Sequence, residues 1–188
     1  WGGWPSPILP IGEWAFPIGF AQEGYGSTIP VISASHVGKG RMLGYGHESW
    51  VDGGGPDETE FALRGVEWVC GENAQVGLAY GAGFDGFEDE LEAEGHTVHQ
   101  SITPDNLSEI DCLLDEFWNG HDDQDNQNIV DFLLSGGGLI MGGHAWYWSY
   151  SNTDVSHNYP GNKIAKTTGL FVSHAWGDRK STRLNSSH

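Results

Sequence analysis

Two stretches of this sequence begin a recognised chemistry and do not complete it. His47-Glu48-Ser49-Trp50-Val51 opens like HExxH, in which two imidazoles one helical turn apart reach the same zinc ion. Val51 stands where the second imidazole is required, and the His-Glu pair falls on a predicted strand. The stretch alone therefore predicts no metal site. Gly81-Ala82-Gly83-Phe84-Asp85-Gly86 fits the G-x-G-x-x-G fingerprint, after an apolar strand and before a helix, where a dinucleotide pyrophosphate would sit. Asp85, Glu88, Asp89 and Glu90 crowd that helix N-terminus, satisfy its dipole themselves and repel phosphate. A strand-to-helix turn is the expected role.

A third stretch is the best candidate for binding. Gly142-Gly143-His144-Ala145-Trp146-Tyr147-Trp148 follows an apolar run, and ligands of open α/β sheets gather beyond the carboxyl ends of strands. Exposed Trp and Tyr rings there would suit stacking on sugars. His144, Trp146 and Trp148 are the candidate binding residues, with no catalytic residue among them. The competing expectation is that the rings pack a short helix onto the sheet. Trp146 and Trp148 are two apart, so on a helix they cannot both face inward. Of the other chemistry-bearing residues, His96 and His99 should point to opposite faces of a strand. His121-Asp122-Asp123 reads as a solvated loop. Cys70 and Cys112 are too few for a disulfide framework and too isolated for zinc, and are expected as small buried hydrophobes.

The elements that must position these residues alternate strand and helix. Strands are predicted at Pro30 to Val37 and Arg41 to Trp50, joined by Gly38-Lys39-Gly40 as a hairpin turn. A capping box at Asp57 to Glu60 opens a helix that buries Phe61, Ala62, Gly65, Val66, Trp68 and Val69. Ala74 to Tyr80 is a strand. A second capping box, Asp85 with Glu88, starts a helix ending at Gly95. His96 to Ile102 and Asp111 to Trp118 are strands. A helix over Asp123 to Ser135 should bury Ile129, Val130, Leu133 and Leu134, and Leu139 to Gly143 forms a fully buried strand. Strands separated by helices argue for a mostly parallel sheet covered on both faces. Residues 1–28, rich in Gly, Pro and aromatics, read as a linker or the end of an upstream domain. Residues 178–188 resemble the translation of a sequencing adapter and are set aside.

Composition narrows the function classes. Net charge is −18 over 188 residues, which disfavours binding to nucleic-acid phosphates or to anionic membrane surfaces. No apolar run approaches the ~20 residues of a membrane span.

Three segments carry a family likeness. Residues Gly38 to Glu48 are similar to a hairpin motif, Gly136 to Trp148 to a strand-and-turn signature, and Asn158-Tyr159-Pro160-Gly161-Asn162-Lys163-Ile164 to the segment that follows. Together they resemble the glutamine-amidotransferase-like domain that precedes the zinc peptidase domain of enhancin- and mucinase-type metallopeptidases, an arrangement shared by TRP-channel-associated factors. The resemblance implies an open, mostly parallel α/β sheet of flavodoxin-like, class I amidotransferase type, preceded by a β-hairpin and spanning residues 29–177. It also implies a neighbouring peptidase domain in the same chain, which would hold the zinc; no cofactor is expected within these residues. Amidotransferases set a Cys nucleophile on a Gly-x-Cys-x-Gly elbow, and the matching turn, Gly142 to Trp146, has none.

The expected function is a non-catalytic scaffold or substrate-positioning domain of an extracellular or cell-surface metallopeptidase acting on glycoproteins. Its partners would be the adjacent peptidase domain and glycoprotein glycans. The alternatives are a hydrolase or amidotransferase-like enzyme using His144, and a dinucleotide-binding oxidoreductase domain using the Gly81 loop.

Overall fold

A computed structural model describes residues 3–22, 27–84 and 86–175. Its strands are β1 (Ile8–Pro10), β2 (Ala15–Gln22), β3 (Thr28–Val37), β4 (Gly40–Tyr45), β5 (Gln75–Ala79), β6 (Thr97–Ile102), β7 (Cys112–Glu116), β8 (Gly138–Gly142) and β9 (Leu170–Val172). The helices are α1 (Pro56–Cys70), α2 (Glu88–Ala93), α3 (Asp123–Ser135), α4 (Ala145–Trp148), α5 (Val155–Asn158) and α6 (Pro160–Ala165). Seven strands form one sheet in the order β2-β3-β4-β8-β7-β5-β6, and β1 pairs with β9 beside it. β2, β3 and β4 run antiparallel; β4, β8, β7, β5 and β6 run parallel. The mostly parallel α/β architecture and the hairpin at its entry are as the sequence predicts.

The sheet is buried on both faces because its central strands are apolar at consecutive positions. Met42, Leu113, Leu139 and Met141 pack to one side with Ile129 and Leu133 of α3 and Ile164 of α6. Leu43, Leu114 and Ile140 pack to the other with Ala62, Val66 and Val69 of α1 and Leu91 of α2. This is the period-two alternation of a strand buried twice. β6-β5-β7-β8 follows the flavodoxin order, and β4, although earlier in the chain, takes the fifth place. Chain order therefore breaks where β4 meets β8.

Several local expectations are corrected. β4 stops at Tyr45, and Glu48–Trp50 is a 3-10 turn. At Gly46 the carbonyl accepts from the Ser6 amide and the amide donates to the Val31 carbonyl, so the N-terminal segment lies where the strand would have continued. The stretch before Pro30 contains β1 and β2. β2 shows no clean alternation because its register shifts at Pro17 and Gly19 and it lies on the sheet edge. α1 starts from Gly55 with Pro56 in its first turn rather than from a capping box, a position suited to proline's missing N–H. Glu88 lies at the start of α2, while Asp85 falls outside the described residues. Leu134 is exposed, one position past the buried stripe of α3. Cys70 and Cys112 are joined in a disulfide that ties the end of α1 to the start of β7. Residues 42 apart in sequence give spacing no means of announcing that contact.

Candidate binding site at the carboxyl edge of the sheet

Glycines assemble the site. Beyond β4 the chain turns at Gly46, and His47 caps the 3-10 turn, its Nδ1 accepting from the Ser49 amide at 3.3 Å. Beyond β8, Gly143 adopts φ +149°, a backbone region that favours glycine. A Cβ on Gly142 would lie 2.4 Å from Val51 Cγ2 and 3.0 Å from Glu48 Cα. The absence of that side chain lets the 47–51 turn lie directly on the end of β8.

This approach brings together groups far apart in sequence. His144 Nδ1 is 2.7 Å from Glu48 Oε2, and His47 Nδ1 is 3.6 Å from the same oxygen. The two imidazoles stack with centroids 4.6 Å apart. Trp146 stacks on His144 at 4.9 Å, and Trp118 meets its edge at 4.7 Å. One donor atom from each of His47, Glu48 and His144 lies within 4.8 Å of the other two, so the trio could hold a metal ion. Tyr159 is fully buried beneath, and its hydroxyl lacks a hydrogen-bond partner among the described residues. That hydroxyl is 3.2 Å from where a Cβ of Gly143 would stand.

The electrostatics follow from burial and crowding. Burial holds the His47 imidazole below its ordinary pKa, Glu48 opposes this, and His144 reinforces it. Burial works against the Glu48 carboxylate, but the His144 hydrogen bond and both imidazoles outweigh it, so its pKa lies below the usual value. Glu116, at the end of β7, is pushed up by burial and by the charges of Glu48, Asp115 and Asp52. Asp52 is raised to about 6 by burial, with Glu48 and Glu90 adding to it. Burial, then the charges of Glu48 and Glu116, raise the Tyr159 phenol well above its ordinary value.

The structure separates the three sequence candidates. His144 and Trp146 lie in the site, and Trp146 Nε1 donates to the Trp4 carbonyl of the N-terminal segment. Trp148 packs against the core and Tyr159, with ring centroids 5.6 Å apart. The rings turned to solvent are Tyr147 and Tyr150, 58% and 66% exposed. Each makes an edge contact with Trp146. Sequence reasoning misses Glu48 and His47 as partners of His144, and Trp118 and Tyr159 as its surroundings. The paired glycines at 142 and 143, before a histidine, are the available signal.

Elsewhere the suggestive residues have other tasks. In the Gly81 loop the Gly83 amide donates to Glu116 at 3.2 Å. His96 Nδ1 accepts from the Ala74 amide, and His99 contacts Gln75. His121 bonds buried Asp115 at 2.7 Å, and Asp122 caps α3. The segment at 158–164 is structural: Gly161 packs on Phe117, and buried Asn162 bonds Val155 and both backbone groups of Val172.

Comparison with known proteins points to one family. The family model TCAF_N, described as TRPM8, N-terminal domain, matches residues 1–184. The chain is 29% identical over 177 residues to a TRPM8 channel-associated factor homolog of Xenopus laevis. It is 30% identical over 178 residues to human TRPM8 channel-associated factor 2. Each alignment covers 93% of this chain but 18% of the relative, so the chain spans less than a fifth of those proteins. Among solved structures, the metallopeptidase IMPa of Pseudomonas aeruginosa in complex with an O-glycopeptide shares the fold. Its TM-score is 0.66 at 15% identity, over 93% of this chain and 20% of that one. Among the described residues, no helix is long and apolar enough to cross a membrane.

Proposed function

This chain belongs to the TCAF N-terminal domain family, and we propose that it is a non-catalytic accessory domain that positions glycoprotein for a zinc metallopeptidase domain of the same protein. The observation that carries the reading is the shelf of Tyr147 and Tyr150 braced on Trp146 at the carboxyl edge. Two exposed phenol rings on a half-buried support offer flat apolar faces with polar tips, a surface suited to sugar rings. IMPa, which shares the fold, is seen in complex with an O-glycopeptide, and that ligand class is the natural probe.

Two observations favour a binding role over an amidotransferase-like one. The elbow after β8 carries Gly143-His144, and Cys70 and Cys112 are both consumed in the disulfide. A disulfide also suits an oxidising compartment, in keeping with an extracellular or cell-surface setting. Dinucleotide binding at the Gly81 loop has less support, since Glu116 already takes the Gly83 amide and would repel a pyrophosphate.

The test is calorimetric titration of the chain with a mucin-type O-glycopeptide and with the same peptide unglycosylated. Binding should require the glycan and weaken about tenfold, ~1.4 kcal/mol, in the Tyr147→Ala/Tyr150→Ala double variant. Equal affinity for both peptides, or a double variant that binds as well as the parent, would overturn the proposal.

A further inference from the structure

We propose that His47, Glu48 and His144 form a binding site for one divalent metal ion of the zinc class, built from the ends of β4 and β8. The sequence stretch His47-Glu48 lacks its second histidine at position 51. The fold supplies one from 96 residues beyond Glu48, across the junction of two adjacent strands.

The donor set fits. Two imidazole nitrogens and one carboxylate oxygen are the ligands a borderline-soft ion such as Zn²⁺ accepts, with one position left for water or substrate. Zinc bonds of about 2.0–2.2 Å in a tetrahedron place neighbouring donors roughly 3.3–3.6 Å apart. The His47–Glu48 separation of 3.6 Å already matches, and the His144–Glu48 separation of 2.7 Å needs to open by less than an ångström. Ligation through His47 Nδ1 would replace the contacts that nitrogen makes with Ser49, 3.3 Å from the amide and 3.0 Å from the hydroxyl. A plain ion pair leaves the arrangement only half explained. One histidine suffices for Glu48, yet two imidazoles converge on a single carboxylate oxygen, stacked at 4.6 Å.

The surroundings are built for rigidity. His144 is held between the His47 and Trp146 rings and against the edge of Trp118, so little ordering remains to be done when an ion arrives. A second observation is independent of the trio. Among the described residues the Tyr159 hydroxyl, on a fully buried side chain, has no hydrogen-bond partner, and it lies against the Gly143 backbone that leads into His144. Buried hydroxyls are ordinarily paired. A water on the open position of the metal would give it that partner.

The experiment uses the 188-residue chain stripped with a chelator, then titrated with Zn²⁺ against a chromophoric competitor. One ion per chain should bind, and both Glu48→Gln and His144→Gln should weaken binding by more than about tenfold. Circular dichroism and the melting temperature in chelator separate lost ligation from lost fold. Co²⁺ loading of the parent chain provides a readout that needs no variant, and should give the visible bands of a low-coordinate nitrogen-oxygen site. Failure to bind Zn²⁺ at micromolar concentration, or folded variants that bind it as the parent does, would overturn the proposal.

Discussion

Two strand ends in this molecule each set a histidine 2.7 Å from a carboxylate, and they do different things with it. At β7, Asp115 is fully buried and its oxygens are saturated: Oδ1 accepts from the Glu116 amide and the Asn119 side chain, and Oδ2 meets His121. At the β4–β8 junction, Glu48 keeps 28% of its side chain exposed and shares one oxygen between two imidazoles. A buried tyrosine hydroxyl beside it lacks a partner among the described residues. The first arrangement is closed, and everything it needs is supplied by the chain. The second is open. Residue types do not distinguish them; the matching of donors to acceptors does.

Stability should separate the two most sharply. Asp115→Ala leaves His121 and two donors facing an empty buried position, and should cost about 3–5 kcal/mol. Glu48→Gln, in a partly exposed and chelator-treated site, should cost about 1 kcal/mol or less. Urea denaturation of both variants reads the difference, and similar losses would erase the distinction.

Gly142→Ala sharpens the comparison from the backbone side. Its methyl would press into Val51 and the Glu48 backbone, at about 1–3 kcal/mol for overpacking. It should weaken Zn²⁺ binding while leaving the Asp115–His121 pair intact, as seen in an unchanged His121 titration by NMR.

pH dependence should show smaller effects of opposite sign. His121 is raised chiefly by its hydrogen bond to Asp115. The stability it contributes is fully present below the unfolded value of ~6.5 and is lost as pH rises through the folded one. Glu48 is lowered in the fold, so its contribution is present above the unfolded carboxylate value and is lost as pH falls. Melting temperature plotted against pH should be flatter for His121→Gln than for the parent on the alkaline side only. Asp52, raised to about 6, does the reverse of Glu48: the fold loses stability as pH rises from ~4 towards that value. Asp52→Asn should therefore raise the melting temperature at pH 7 and leave it unchanged near pH 4.

The fold is legible in the sequence where periodicity is strong. α3 and the apolar strands β5, β7 and β8 stand out because burial on two faces leaves continuous hydrophobic runs. Little is legible where pairing is long-range or local cues conflict. β1 and β9 are three residues each and hold each other; neither has a pattern of its own. Cys70 meets Cys112, and Glu48 meets His144, only because the sheet sets distant strands side by side. Trp146 stacks on His144 and Trp148 meets Tyr159, while the exposed rings are the tyrosines beside them, since helix phase depends on where Gly143 releases the chain.

Whether the β4–β8 histidines are open to a ligand while the β7 histidine is closed can be read in a single titration. Imidazole ¹⁵N resonances of the whole chain, followed as Zn²⁺ is added, report each histidine separately. His47 and His144 should move together and saturate at one equivalent, while His121 keeps its position. Movement of His121 along with them, or no change at His47 and His144, would contradict the distinction between the two strand ends.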